Sequence, residues 1–404
     1  MRRKSGGTAM RTQALVKLLW LGALAAAGLE PLSSVAWTDG PARPRAVVSV
    51  GPAAPEPLGL YPAHENHPTK KWTATLACQP CSYSLQHWAC YHESHAPQAI
   101  ALEGQIGMTS PCGANWYHNG FFNFSLDGEA GANYAVKAVR ALDQGERGSC
   151  EFVWELPAAW VRVRFMVVPG KEPLFCSITS HPKSEHVPVL KVSLVAYPSG
   201  YFHQGQRVAV TAAGTYRTPA RVDLDPAREW WVVFYDEKYD LGVEGGSGGA
   251  AGLTDPDLVG KAALNVGSYP LLWTVEAKPG GRELRFAFWN GLNRRNADLL
   301  PYMQPRFEPA LADLRALDFR PLRYREEALE PLRREFEKLL AETTGPTAAQ
   351  AAETYREAMA RLEALRPRLQ ADAVDITAEE EYLATLDRLD ALLWDLRMEW
   401  VFSD

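Results

Sequence analysis

Val161-Arg162-Val163-Arg164-Phe165-Met166-Val167 places an apolar residue at every second position. Successive side chains of a β-strand point to opposite faces, so this stretch predicts a strand with Val161, Val163, Phe165 and Val167 in a core. The same period recurs in Phe122, Phe124 and Leu126 against Asn123, Ser125 and Asp127, and in Leu284, Phe286 and Phe288 against Glu283, Arg285 and Ala287. Two further runs, VPVLKVSLVAY (187–197) and EWWVVFYD (229–236), are apolar nearly throughout, the pattern expected of central strands covered on both sides. Asp127-Gly128, Pro169-Gly170, Pro198-Ser199-Gly200 and Pro279-Gly280-Gly281 fall between such runs as turn signals. Many strands, short connections and no helical pattern between them predict a mainly β chain whose body, residues 72–308, is a large antiparallel β-sandwich.

The flanks read differently. Arg2, Arg3, Lys4, Arg11 and Lys17 precede the apolar run LLWLGALAAAGL (18–29), and Ser34-Val35-Ala36 supplies small residues for cleavage. This is the form of a signal peptide over 1–36, with Met10 as an alternative start; the run is too short to favour a membrane span. The expected location is therefore secreted or periplasmic, with no stable membrane insertion after cleavage. Residues 37–71, rich in Pro, Ala and Gly, read as a linker or surface arm. Beyond Pro309 the period becomes helical, giving a C-terminal three-helix α segment over 309–404. Leu329, Leu332, Phe336 and Leu339 form one stripe, and Thr344-Gly345-Pro346 breaks it. Tyr355, Met359, Leu362 and Leu369 continue on a second helix, and Thr377 with Glu380 has capping-box spacing before Leu383, Leu386, Leu389, Leu393, Leu396 and Trp400. Such stripes are ordinarily core; a protein partner for these helices is the alternative.

Composition limits the chemistry. A formal net charge of −6 gives no basic footprint, so nucleic acid is not an expected partner. GVEGGSGGAAG (242–252) lacks the lysine and following helix of a phosphate loop, and no G-x-S-x-G, H-E-x-x-H or EF-hand loop is present. The six cysteines of an exported chain are read first as disulfides. The alternative is a metal site, zinc above all, or a redox dithiol built from Cys78, Cys81, Cys90, His92 and His95, because C-x-x-C lets two thiolates reach one ion. Calcium is a further alternative at Asp236, Glu237 and Asp240. No cofactor is otherwise expected.

Two clusters suit a sugar ligand. Asn115, Trp116, Tyr117, His118 and Asn119 put amides beside rings, and Tyr201, His203, Tyr235, Asp236 and Glu237 form a second set, with Trp289 and Asn290 at the end of the last strand. Aromatic faces stack on the C–H faces of sugars, amides bond their hydroxyls, and His118, His203, Asp236 and Glu237 are candidate acids and bases. The body from about Trp72 to Asn290 resembles, in architecture, the large β-sandwich of galactose-mutarotase-like and polysaccharide-lyase-associated proteins. In the mutarotase-like enzymes histidines and a glutamate act on the sugar ring, so the resemblance implies a carbohydrate ligand; no family motif carries a catalytic residue over. The expectation is a carbohydrate-binding or carbohydrate-processing protein, with binding favoured over catalysis.

Overall fold

A computed structural model of the chain describes residues 44–52, 69–90, 100–101, 105–110, 115–198, 205–243, 248–291, 294–343, 346–370 and 374–402. The expected leader and most of the expected arm lie outside them. The described residues form two compact units, one within 41–320 and one within 321–404.

The first unit holds three antiparallel sheets, as the period-two patterning predicts. A nine-stranded sheet runs from Thr215–Arg217 at one edge through Arg207–Val210, Trp231–Asp236, Ala250–Thr254, Glu283–Asn290, Leu174–Pro182, Ala159–Val167 and Gly148–Glu155 to Val136–Asp143. A six-stranded sheet is ordered Ala220–Leu224, Val259–Val266, Leu271–Ala277, Leu190–Ala196, Phe122–Leu126 and Glu129–Ala130. A five-stranded sheet is built on the hairpin Thr69–Cys78 and Cys81–Cys90. Side chains from all three meet in one core, where Phe121, Phe122, Phe165, Phe286 and Phe288 lie edge-on or stacked with no exposed surface. Val161, Val163, Phe165 and Val167 all point into it.

Two strands that look alike as sequence differ in their surroundings. Trp231–Asp236 is covered on both sides: Val232 and Phe234 face the sandwich core, while Trp231 and Val233 face a second core under helix α1, Asn296–Ala316. Leu190–Ala196 instead alternates, with Leu190, Val192 and Leu194 buried, Lys191 exposed and Ser193 and Val195 half-buried. Among the described residues its expected double cover is not found, and helix α1, which supplies such cover, packs on the other sheet.

Helix α1 begins well before Pro309, where the sequence pattern first turns helical. Pro301, Pro305 and Pro309 lie inside it on the exposed face, four residues apart, so the carbonyls they leave without an N–H donor sit on the side away from the core. Leu299, Met303, Phe307, Leu311 and Leu314 line the opposite face. Phe307 stacks on Trp231 at 4.5 Å and meets Trp289 edge-on at 5.9 Å.

The second unit contains α2, Leu329–Glu342, α3, Pro346–Gln370, and α4, Ile376–Phe402. Phe336, Leu339, Leu362, Leu365, Leu386, Leu389, Leu393 and Leu396 are buried together, so the predicted stripes are used in the unit's own core. The N-terminus of α4 is capped by Asp375, whose carboxylate accepts from the Ala378 N–H at 3.0 Å, in place of the expected Thr377 and Glu380 box. Among the described residues no helix is long and apolar enough to cross a membrane.

Candidate functional site

The loop Asn115–Gly120 lies along the strand Leu190–Ala196. Trp116 bridges to Ala196, the Tyr117 N–H donates to the Val195 carbonyl at 3.0 Å, and the Tyr197 N–H donates to the Asn115 carbonyl at 2.7 Å. Extended backbone sends neighbouring side chains to opposite sides. Trp116 points inward with no exposed surface, and its indole N–H donates to the Trp289 carbonyl at 2.9 Å. Tyr117, His118 and Asn119 stay half-buried at the rim. Gly107 lets its strand pass behind this loop, since a Cβ there would overlap the His118 carbonyl.

The rim carries a file of rings. His118 meets Tyr117 at 5.0 Å, Tyr117 meets Tyr197 at 4.7 Å, and Tyr197 meets Tyr269 at 4.7 Å, all edge-to-face. Tyr269 belongs to the turn between Val259–Val266 and Leu271–Ala277 and lines an open cleft of about 470 Å³ with Pro219, Ala220, Arg221, Asn265 and Ser268. Buried Arg207 holds that turn by donating to the Ser268 carbonyl. Thr218 ties the cleft's other wall to it, donating to the carbonyls of Arg207 at 3.1 Å and Gly267 at 3.2 Å. Burial lowers the pKa of Arg207, while Asp236, Tyr197 and Tyr269 around it pull the other way.

The remaining residues singled out in the sequence are placed as follows. Asn115 is fully buried and donates to the Gly249 carbonyl at 2.8 Å and to Asn290 Oδ1 at 2.6 Å, tying loop to strand end. Trp289 lies in the second core against Phe307, and Tyr235 is half-buried beside that core. Asp236 Oδ1 accepts from the backbone N–H groups of Gln206, Lys238 and Tyr239 at 2.9–3.2 Å, organising the turn that follows. Asp240 accepts from the Asn296 N–H at 2.8 Å, which caps α1. Glu237 is paired with Arg217 at 2.9 Å. The calcium candidates thus spend these oxygens on turn, cap and ion pair. Tyr201, His203, His92 and His95 lie outside the described residues. Trp116 and Trp289 do not share the cleft, whereas Tyr197, Tyr269 and Arg207, which linear reading missed, converge beside it. The one available signal was a tyrosine inside the turn Gly267-Ser268-Tyr269-Pro270.

The cysteine cluster is pulled apart by its own hairpin. Cys78 and Cys81 face each other at the turn, while Cys90 ends the ten-residue strand Cys81–Cys90, about 30 Å away, so one ion cannot bind all three. Among the described residues no group of three His, Cys, Asp or Glu side chains is placed to hold a metal. Cys78, Cys81, Cys150 and Cys176 are free thiols in this structure, which closes none of the expected disulfides among them. Cys150 and Cys176 sit on the two strands that flank Phe165, about 10 Å apart and beyond disulfide reach. The Cys90 side chain and Cys112 lie outside the described residues.

No protein-family model matches the chain, and no curated protein matches it in sequence. Among solved structures, the GH36 α-galactosidase AgaB from Geobacillus stearothermophilus is similar with a TM-score of 0.30 and 10% identity, over 55% of this chain and 40% of that one. The galactosidase domain of an α-galactosidase–sucrose kinase, AgaSK, gives a TM-score of 0.29 and 11% identity over 54% and 41%. A TPR-domain containing protein from Parabacteroides distasonis covers more, 90% of this chain and 80% of that one, with a TM-score of 0.36 and 11% identity. The chain spans about 40% of the length of the galactosidases it matches. Likenesses at these TM-scores assign neither a family nor an activity.

Proposed function

We propose that the β unit binds carbohydrate at the ring file and the adjoining cleft, as an exported binding protein and not a hydrolase. The observation that carries this reading is the run His118, Tyr117, Tyr197 and Tyr269 ending beside a cleft that also presents Asn265 and Arg221. Tyr117 and Tyr269, half-buried on either side of the buried Tyr197, can offer ring faces to sugar C–H groups, while amide and guanidinium groups bond hydroxyls. Glycoside hydrolysis ordinarily needs two carboxyl groups flanking the scissile bond, and among the described residues none of the nine lining the cleft is Asp or Glu. Asp236 and Glu237 are engaged in a turn and an ion pair. Binding is therefore the better supported half of the reading. The mutarotase-like resemblance stays an analogy of architecture, since no catalytic residue transfers.

A glycan array with the purified chain, followed by titration calorimetry on the best ligand, tests the proposal. Tyr269→Ala and Tyr117→Ala should each weaken binding about tenfold, the loss of about 1.4 kcal/mol. A ligand bound equally well by both variants, or no glycan bound at all, overturns it. Export belongs to the same proposal, and N-terminal sequencing of the protein from a native host should find Trp37 first.

A further inference from the structure

The hairpin that carries the first two cysteines turns at Gln79-Pro80, and its register pairs Cys78 with Cys81. Their sulfurs are 3.6 Å apart. Directly opposed residues of an antiparallel pair have Cα atoms about 4.5–5.5 Å apart, inside the range a disulfide spans, so closing the bond needs only side-chain rotation. Both thiols dock on the turn that joins Ala159–Val167 to Leu174–Pro182. Cys78 Sγ donates to the Val168 carbonyl at 3.4 Å and Cys81 Sγ to the Lys171 carbonyl at 3.5 Å. The Gly170 N–H returns a bond to the Gln79 carbonyl at 3.0 Å. Cys78 is 7% exposed, Cys81 is half-buried, and Gln79 and Pro80 between them are exposed.

From this geometry we propose that Cys78 and Cys81 are a reversible thiol–disulfide exchange pair, reacting with low-molecular-weight disulfides through the more accessible Cys81 sulfur. The hydrogen bond from Cys81 pulls the Cys78 thiol down to about 7, against burial, and the same contact pushes Cys81 up, so the pair gives up one proton near neutrality and shares the other. In the forward direction the shared proton passes to Cys78 as the Cys81 thiolate attacks a disulfide R–S–S–R. The S–S bond of the reagent breaks, a Cys81–S–S–R bond forms, and RS⁻ leaves and takes the proton from Cys78. The Cys78 thiolate then attacks Cys81 Sγ and expels a second RS⁻, which is protonated by solvent. Two cysteine thiols are oxidised to one disulfide while one external disulfide is reduced to two thiols. In reverse, an external thiol attacks Cys81, and Cys78 leaves as the more acidic thiol, which speeds the step.

Cys150 and Cys176 provide an internal control. Both are fully buried in the sandwich core, and burial raises both thiols far above their ordinary value. They should take no part.

The test uses the full chain. The reduced protein is equilibrated in glutathione buffers of graded oxidised fraction, quenched with an alkylating reagent and mapped by mass spectrometry. Cys78 and Cys81 should pass together from two alkylated thiols to one link, and excess dithiothreitol should reopen it in the folded protein. In Cys78→Ser, oxidised glutathione should accumulate as a mixed disulfide on Cys81, at least tenfold faster than on Cys78 in Cys81→Ser. A pair that stays as two thiols at every glutathione ratio overturns the proposal, as does a link that dithiothreitol opens only after unfolding. Should either variant misfold, the wild-type titration still decides, and it is independent of carbohydrate binding.

Discussion

The interior of the sandwich and its rim are both built from aromatic rings, and the two sets are used in opposite ways. Trp116 packs edge-on against Phe234 and Phe288 and tilted against Phe121, all with no exposed surface, and the Trp116 N–H is spent on a backbone carbonyl. Tyr117, the next residue, starts a file through Tyr197 to Tyr269 that skirts the core and ends at an open cleft. What separates them is register: a single step along extended backbone moves a ring from one side to the other. Residue type alone therefore does not mark a binding ring; its side of the strand does.

That contrast breaks first if an interior ring can be removed cheaply. Trp116→Ala should cost about 5 kcal/mol of stability, from the cavity and from the Trp289 carbonyl left without its donor, read from urea denaturation. A cost near that of Tyr117→Ala would sink the division into core and rim. The buried carboxylate of Glu151 comes next. Burial opposes its ionisation, but Arg164, Arg140 and Arg162 at 2.5–3.2 Å outweigh burial and hold it well below the usual carboxylate range. Glu151→Gln leaves three guanidinium groups around a neutral amide, and a loss of about 3–5 kcal/mol is expected with glycan binding by the folded fraction unchanged.

His87 tests the interior by pH. It is fully buried, with Trp72 at 5.5 Å and Trp154 at 5.6 Å, and Nδ1 engages the Gln105 carbonyl. Burial lowers it from 6.5 to about 4, only partly offset by the Gln105 contact. Between those values the unfolded chain binds the proton and the folded chain does not, so stability falls as pH drops through the window and is full above it. The expected loss is about 3 kcal/mol. Denaturation at pH 7 and pH 4 should show it in the wild type and show a flatter response in His87→Gln; equal slopes would mean that His87 is not held neutral.

Legibility in the sequence followed the range of the physics. Val161–Val167 and Phe122–Leu126 were readable because a half-buried strand writes its faces into consecutive residues. Helix α1 was hidden because Pro301, Pro305 and Pro309 mark a helix interior as broken, and only a sheet face waiting for cover makes the segment worth folding. Trp116 and Trp289 looked like ligand rings because abundance carries no direction. Tyr197 and Tyr269 went unseen because they meet Tyr117 only through the strand order of the six-stranded sheet, which no local window contains. Asp236, which ends the strand Trp231–Asp236, and Asp240 beyond it read as chemistry, but they serve to turn the chain and cap α1.

The smallest expected effect separates ring from hydroxyl at the rim. If the file binds sugars through its faces, Tyr269→Phe keeps the face and should change affinity by about threefold at most, under about 0.7 kcal/mol, while Tyr269→Ala loses about tenfold. A Phe variant as weak as the Ala variant would place recognition in the phenol oxygen, making the rim a hydrogen-bonding edge and not a stacking platform. Neither change should move the urea midpoint by more than about 1 kcal/mol of stability, because Tyr269 is half-buried on a turn whose carbonyls are held by Arg207 and Thr218. A larger shift would assign Tyr269 to the same structural class as Trp116, and the cleft beside it would lose its claim to a ligand.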